Sequence, residues 1–555
     1  MNVLMHKRIL PRSVEERRIK KIPAQFIFIC LTFVLPAPGQ NRAEVSVDLS
    51  KPVNVLTDTS LGVPAIMSDA SSFALSGVPY LRAAGITAAR YPGNHNAADL
   101  YHWSTKTTTP YRGADVGYFA PESAFPDFAR FAEQLGQAVI VVNYGSNMDG
   151  TGGGEPAEAA AWVAYANGNP SDKHVIGKDS TGQNWYTTGY WASLRGQAPL
   201  ATDDGLNFLR IQHPRPFGFR LWQVGGEVYD NGYYGGQYTG DPDLHGPVPA
   251  RPRDLSKLKG NAKLSPAAYA ENFRQFAQAM KAVDPSIEVG AAFTVPPSPD
   301  PNSHDWAPDW NREVLKGACA DLDFVTFDWT LQPLLPPDWK TLDEATLLQD
   351  QGYNQTNLID LLVQPMLQDY QRYCPPNHLP RLAFAPAAIA AWVTVEHPVV
   401  KALWIADFYA SLVESGSANI NWDEMYGDSM LSADRKTLGP AFYGLQMLHI
   451  VVHQPGDVLV DARSNSSIIA AHASLRRDGY VGLMLVNKDP HLHATVKVTF
   501  RNGSVGTAGR RIDYGSAQFA AHSGPSVSRF SVTGDEFSVT VPPYTITDIL
   551  LPRQK

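Results

Sequence analysis

The chain has 555 residues, 44% of them apolar and 18% charged, enough to build two or more globular domains around a large core. The net charge of -8 argues against nucleic acid and anionic membranes as main partners. Repeats and low-complexity tracts are absent, which excludes a solenoid or a disordered chain.

Residues 1–40 read as an export signal or an N-terminal anchor. Lys7, Arg8, Arg12, Arg17, Arg18, Lys20 and Lys21 form a basic stretch. An apolar run over 26–35 is too short to span a bilayer, and Ala37-Pro38-Gly39 supplies small residues for cleavage. Cleavage and anchoring both stand open; either places the protein in the periplasm or outside the cell. Of the 3 cysteines, Cys30 falls in this segment. Cys319 and Cys374 remain as a candidate pair for an oxidising compartment, and lack the neighbouring histidines of a metal site.

A strand-like segment at 44–56 comes next, so 41–57 is assigned as an N-terminal strand joining a later sandwich. Short β-rich runs then recur at 61–66, 88–91, 138–144, 219–224, 287–293, 322–329, 381–385 and 418–422, with helical stretches between them. Helices are expected over 125–135, over 156–166 with Pro156 in its first turn, over 265–283 behind Ser265 and Pro266, and over 397–415. Strands alternating with helices predict a (β/α)8 TIM barrel over 58–440. After about residue 440 the pattern changes to short alternating strands at 458–460, 468–474, 480–487, 495–500, 537–541 and 545–551. This predicts an all-β antiparallel sandwich over 441–555.

A barrel of this kind gathers its chemistry at the C-terminal ends of its strands. Strand two ends in Arg90-Tyr91-Pro92-Gly93-Asn94, followed by Tyr101-His102-Trp103. Strand three ends in Asn143 and strand four in Glu227, with Tyr229 and Tyr233 in the loop beyond. Strand six ends in Asp328-Trp329, and strand eight in Trp422-Asp423-Glu424. Aromatic and amide side chains suit a sugar ring, which offers an apolar face and a rim of hydroxyls. The expected carbohydrate contacts are Arg90, Asn94, Tyr101, Trp103, Asn143, Tyr229, Tyr233, Trp329 and Trp422. Plainer readings stand beside these: Arg90 as an ion-pair partner, Trp422 as a barrel cap. The glycine-rich stretch 150–154 lacks the Gly-Lys-Ser/Thr of a phosphate loop and reads as a rim loop.

These strand ends resemble clan A glycoside hydrolases, α-L-arabinofuranosidase-type enzymes above all. Arg90-Tyr91-Pro92-Gly93 looks like the family's Arg-aromatic-Pro-Gly turn, and Trp222 to Tyr229 like its Trp-Glu-Ile-Gly-Asn-Glu motif. Val541-Pro542-Pro543-Tyr544-Thr545-Ile546 looks like the last strand of the family's sandwich. The resemblance covers most of the chain after about residue 45. It implies a carbohydrate partner from plant-type, arabinose-containing glycans, no cofactor and no metal, and Glu227 as general acid/base.

Three positions depart from the family pattern. Gly226 stands where an Asn would hold the sugar's 2-hydroxyl, and Asp328-Trp329 where a His-aromatic pair is usual. Ala385-Pro386 stands where strand seven should end in a nucleophilic Glu. A retaining glycosidase needs two carboxyl groups about 5–5.5 Å apart, and Ala and Pro supply none. The leading expectation is therefore a carbohydrate-binding protein with impaired retaining catalysis. One alternative is an active glycosidase pairing Glu227 with a relocated carboxylate, Asp328 or Glu424. Another is a non-catalytic structural or interaction protein.

Overall fold

The computed structural model describes residues 41–93, 101–108, 120–145, 153–226, 228, 266–294, 310–330, 344–348, 363–388, 395–422, 430–431 and 437–554. The predicted leader lies outside these residues, as do Asn94, Glu227, Tyr229, Tyr233 and Glu424; Trp329 is described in backbone only.

Leu61–Pro64, Ala88–Tyr91, Gln137–Val142, Leu221–Val224, Glu288–Phe293, Phe324–Thr330, Arg381–Ala388 and Asn419–Asn421 form a closed barrel, here called strands one to eight. Every neighbouring pair is parallel. The strands are short and mostly apolar because helices cover one face and the barrel core the other, with polar residues such as Arg90, Gln223 and Asp328 set toward their ends. Val139, Leu221, Phe324, Ala383 and Ala418 pack together as a layer of that core. Gly290 makes room for it: a Cβ there would stand 2.3 Å from the Phe324 ring. Side chains alternate along a strand, so Thr326 and Asp328 share the inward face of Phe324, with Asp328 nearest the C-terminal mouth.

The predicted helices surround the barrel as Phe125–Leu135, Pro156–Asn167, Pro266–Val283 and Val400–Glu414. Asp127 caps the first of these by accepting from the Ala124 N–H at 3.2 Å. Pro440–Val451 follows strand eight and packs closely on Val400–Glu414. A Cβ on Gly444 would fall 2.1 Å from Ile405 Cγ2. Cys319 and Cys374 form a disulfide with Cα atoms 5.2 Å apart, tying the start of strand six to the end of helix Gln364–Tyr373.

The C-terminal strands form one 10-stranded sheet that curls into a sandwich. The segment Asn41–Val55 is part of it, as its pattern predicts, pairing antiparallel with Val458–Ser464. Its other partner, Ala494–Arg501, runs parallel, so the sheet is mostly rather than wholly antiparallel. Three strands were not legible: Ser504–Val505, Ala508–Gly515 and Ser526–Ser531. The last is an edge strand, polar and largely exposed, with no apolar alternation to mark it. Val45, Val47, Val496, Val498, Leu483 and Leu485 fill the sandwich interior. Met484, Val486, Ile546 and Leu550 face the barrel's helices.

An ionic cluster is buried where the sheet meets Val400–Glu414. His472 bridges Asp407 (Nε2 to Oδ1, 2.9 Å) and Glu414 (Nδ1 to Oε1, 2.8 Å), while Lys488 Nζ lies 2.6 Å from the other Asp407 oxygen. Burial alone would discharge His472; the Glu414 and Asp407 carboxylates outweigh it and push its pKa up to about 10. Burial likewise disfavours the Asp407 charge, but Lys488 and His472 hold that carboxyl below its ordinary range.

Candidate functional site at the barrel mouth

Arg90, at the end of strand two, is 2% exposed. Its Nη1 donates to the Gly93 carbonyl, and its Nη2 to Gln223 Oε1 at 3.2 Å. Gln223 Nε2 in turn donates to the Gly225 carbonyl at 2.7 Å. This buried strut fixes the Tyr91-Pro92-Gly93 turn, whose Tyr91-Pro92 bond is cis, against the segment leading to Glu227. The guanidinium thus bonds within the protein fabric, and Arg90 shapes the mouth through the two strand ends it joins.

Tyr101 and Trp103 belong to the core, not to the cleft wall expected of them. Both are fully buried. Tyr101 meets Trp162 at 5.9 Å and Trp103 stacks on the same ring at 5.8 Å. Trp103 also packs on Trp191 and donates its indole N–H to the Glu158 carbonyl at 3.2 Å. The reason is strand alternation. Tyr101–His102 pairs with Thr107–Thr108 as a two-stranded ribbon, which turns Tyr101 inward and His102 the other way. Burial pushes the Tyr91 and Tyr101 hydroxyls far above the usual phenol range, so both stay neutral. Tyr91 donates its one hydroxyl proton to the Ser123 carbonyl at 2.8 Å, and its oxygen lies 3.1 Å from the Tyr101 hydroxyl.

His102 meets a polar cluster that sequence reasoning missed. Its Nδ1 lies 3.1 and 3.0 Å from the two oxygens of Glu158. Asn143, at the end of strand three, places its amide nitrogen 3.3 Å from Glu158 and 3.1 Å from the same imidazole nitrogen. Glu158 comes from the first turn of Pro156–Asn167, so the cluster sits at the C-terminal face between strands two and three. Gly154 lets the chain pass: a Cβ there would lie 2.0 Å from the Asn143 carbonyl oxygen. The signal was present as a histidine between two aromatics and a glutamate at a helix start. Nothing in the spacing joined residues 56 positions apart.

Buried polar atoms without a partner among the described residues include Asn143 Oδ1 at the end of strand three, and Asn421 Oδ1 and Trp422 Nε1 at the end of strand eight. Trp422 is 2% exposed and inclined to Tyr409 at 6.3 Å. Buried polar groups are nearly always satisfied, so these acceptors and this donor at the strand ends mark places for a polar ligand or water.

The seventh strand runs on to Ala388, three residues past its expected end. It pairs with strand six as Phe384 with Phe327 and Ala387 with Trp329, with an irregularity between. Ala385 and Pro386, joined by a cis bond, fill that irregularity and are buried. The end of strand seven is therefore apolar, and Asp328 stands on the adjacent strand at the same level.

A closed eight-strand barrel followed by a curled β-sandwich defines a fold of the glycoside hydrolase type. Solved structures bear this out. The chain is similar to the α-L-arabinofuranosidase of Thermotoga maritima, solved with arabinose, at TM-score 0.62 and 15% identity, covering 92% of this chain and 100% of that one. It is similar to the GH51 arabinofuranosidase of Xanthomonas axonopodis pv. citri at TM-score 0.59 and 16% identity, with 92% and 100% covered. CelM2, a bifunctional glucanase-xylanase from a metagenome library, matches at TM-score 0.57 and 13% identity, with 93% and 100% covered. No family model matches the chain, and no curated protein matches its sequence.

Proposed function

We propose that this protein binds a carbohydrate at the barrel mouth and does not carry out retaining hydrolysis by the usual pair of carboxylates. The observation that carries the reading is the apolar Ala385-Pro386 at the end of strand seven, in a barrel whose fold is that of glycosidases. A retaining mechanism requires one carboxyl to attack the anomeric carbon while the other protonates the leaving oxygen. Losing one member of such a pair leaves only the residual rate from binding and electrostatics. Carbohydrate binding is supported by the orphan donor and acceptor on Trp422 and Asn143. The arabinose-containing glycan class rests on the likeness of fold to arabinofuranosidases. Export is supported by the basic and apolar N-terminal stretch and by the Cys319–Cys374 disulfide.

One observation favours a second reading, that of an inverting hydrolase. Asp328 lies on the inward face of strand six at the mouth, where a general base would act on water with Glu227 as general acid. A screen of aryl glycosides, with products identified by mass spectrometry, tests both. The first reading predicts no turnover but measurable oligosaccharide binding by calorimetry. Turnover that is lost in Glu227→Gln contradicts it, and absence of both turnover and binding contradicts both.

A further inference from the structure

Between Pro156–Asn167 and strand four the chain makes an excursion over 169–218 that the account of the mouth leaves unused. Its first part is a hairpin bridged at Val175 with Thr187 and at Lys178 with Asn184. Asp179 orders the tip by accepting from the Thr181 and Gln183 N–H groups at 2.9 and 3.0 Å and from Trp185 Nε1 at 2.9 Å. The tip reaches the barrel mouth: Ser180 Oγ donates to Glu155 at 2.6 Å, directly before the helix that carries Glu158.

Tyr186, near the end of this hairpin, has φ 55°, a left-handed conformation that favours glycine. Hydrogen bonds hold it there. Its N–H donates to Asn184 Oδ1 at 3.0 Å and its carbonyl accepts from Ile176 N–H at 2.9 Å. The ring does not repay that conformation by burial, since Tyr186 remains 47% exposed. It leans on Tyr190, centroids 4.3 Å apart at 32°. Tyr190 stands on the first turn of Thr188–Gly196 and meets Trp191 edge-on at 5.2 Å. Trp191 packs on Trp103 beneath the mouth, so the exposed ring is backed by rigid aromatics. Asp204, whose side chain is 43% exposed, pairs with Arg210 at 2.6 Å in the same excursion. Backbone strain on a bulky, exposed residue points to function more than to stability.

We infer that Tyr186, backed by Tyr190, is a second carbohydrate-binding platform, on which a sugar unit of an uncharged polysaccharide stacks outside the barrel mouth. The flat apolar ring suits the CH face of a sugar, and the chain's net charge of -8 disfavours an acidic polymer. The inference rests on the carbohydrate-binding reading of the fold, but concerns a different surface and is tested apart from it.

The test is native affinity electrophoresis of the full chain in gels containing arabinan, arabinoxylan, xyloglucan or polygalacturonate. Calorimetry with arabino-oligosaccharides, run on the same proteins, reports on the mouth separately. Tyr186→Gly removes the ring and suits the backbone, so it keeps or raises the melting temperature. At least one uncharged polymer should retard the wild type, and Tyr186→Gly should weaken that retention about tenfold, the scale of one aromatic contact. Tyr190→Ala should weaken it in the same direction, with oligosaccharide binding unchanged in both variants. Four results overturn the platform, whatever the mouth binds: no retardation by an uncharged polymer, retardation by polygalacturonate alone, wild-type retention in Tyr186→Gly, or a lower melting temperature in that variant. Failure of oligosaccharide binding alone overturns the reading of the mouth and leaves the platform's result standing.

Discussion

Asp328 stands beside Ala385. The register sets Phe327 against Phe384 and Trp329 against Ala387, which leaves Asp328 facing the irregularity formed by Ala385 and Pro386. Among the described residues, a carboxylate thus stands one strand away from the apolar end of strand seven and points inward by alternation.

Stereochemistry separates the outcomes. A 2-deoxy-2-fluoro glycoside, which traps the covalent intermediate of retaining enzymes, should leave the protein unlabelled in intact-mass measurements. Any slow hydrolysis should give the inverted anomer by NMR. Asp328→Asn should then lower its rate by at least about a hundredfold, the low end of what general acid–base catalysis contributes.

Stability should respond to pH through His472. Its pKa is raised to about 10, so its contribution is fully present below the ordinary histidine value of about 6.5 and is lost as pH climbs toward 10. Asp407 works in the opposite sense: its lowered pKa contributes above the ordinary value of 3.8, and the contribution disappears as pH falls below that. Urea midpoints should therefore be highest between these limits. Removing one partner of a buried ion pair costs roughly 3–5 kcal/mol, and His472→Ala should lose about that at pH 6. The loss should shrink at pH 10.

Asp548 should be a liability at neutral pH. It is fully buried, and neither oxygen has a partner among the described residues. Burial, with Asp513 nearby, pushes its pKa well above the carboxylate range. The fold therefore holds a proton that the unfolded chain releases, and stability falls as pH rises above 3.8. Asp548→Asn removes that slope. Its melting temperature should match wild type near pH 4 and exceed it as pH rises above that.

Reduction should weaken the barrel's strand-six side. The Cys319–Cys374 bond closes a loop with a sequence separation of 55. Loop-closure entropy for such a length is worth roughly 4 kcal/mol. The Cys319→Ala, Cys374→Ala double variant should unfold at lower urea than the oxidised wild type and be insensitive to dithiothreitol.

Barrel and sandwich were legible because apolar runs of strand length alternate with helical stretches before about residue 440 and with turns after it. The same patterning hid Ser526–Ser531, whose exposed side chains carry no alternation. At the mouth, Ala385-Pro386 and Asp328 were legible as departures from a motif. The roles of Tyr101 and Trp103 were not, because burial depends on a two-residue ribbon too short to leave a pattern. The His102–Glu158–Asn143 cluster escaped for a different reason: its members come from separate elements and meet only in the folded chain.

The most direct test is to incubate wild type and Glu227→Gln with 4-nitrophenyl α-L-arabinofuranoside and with arabino-oligosaccharides, following nitrophenol release, product anomer and binding heat together. The account predicts saturable oligosaccharide binding in the wild type and no Glu227-dependent release of product with retained configuration. Glu227-dependent turnover that retains the anomeric configuration would contradict it.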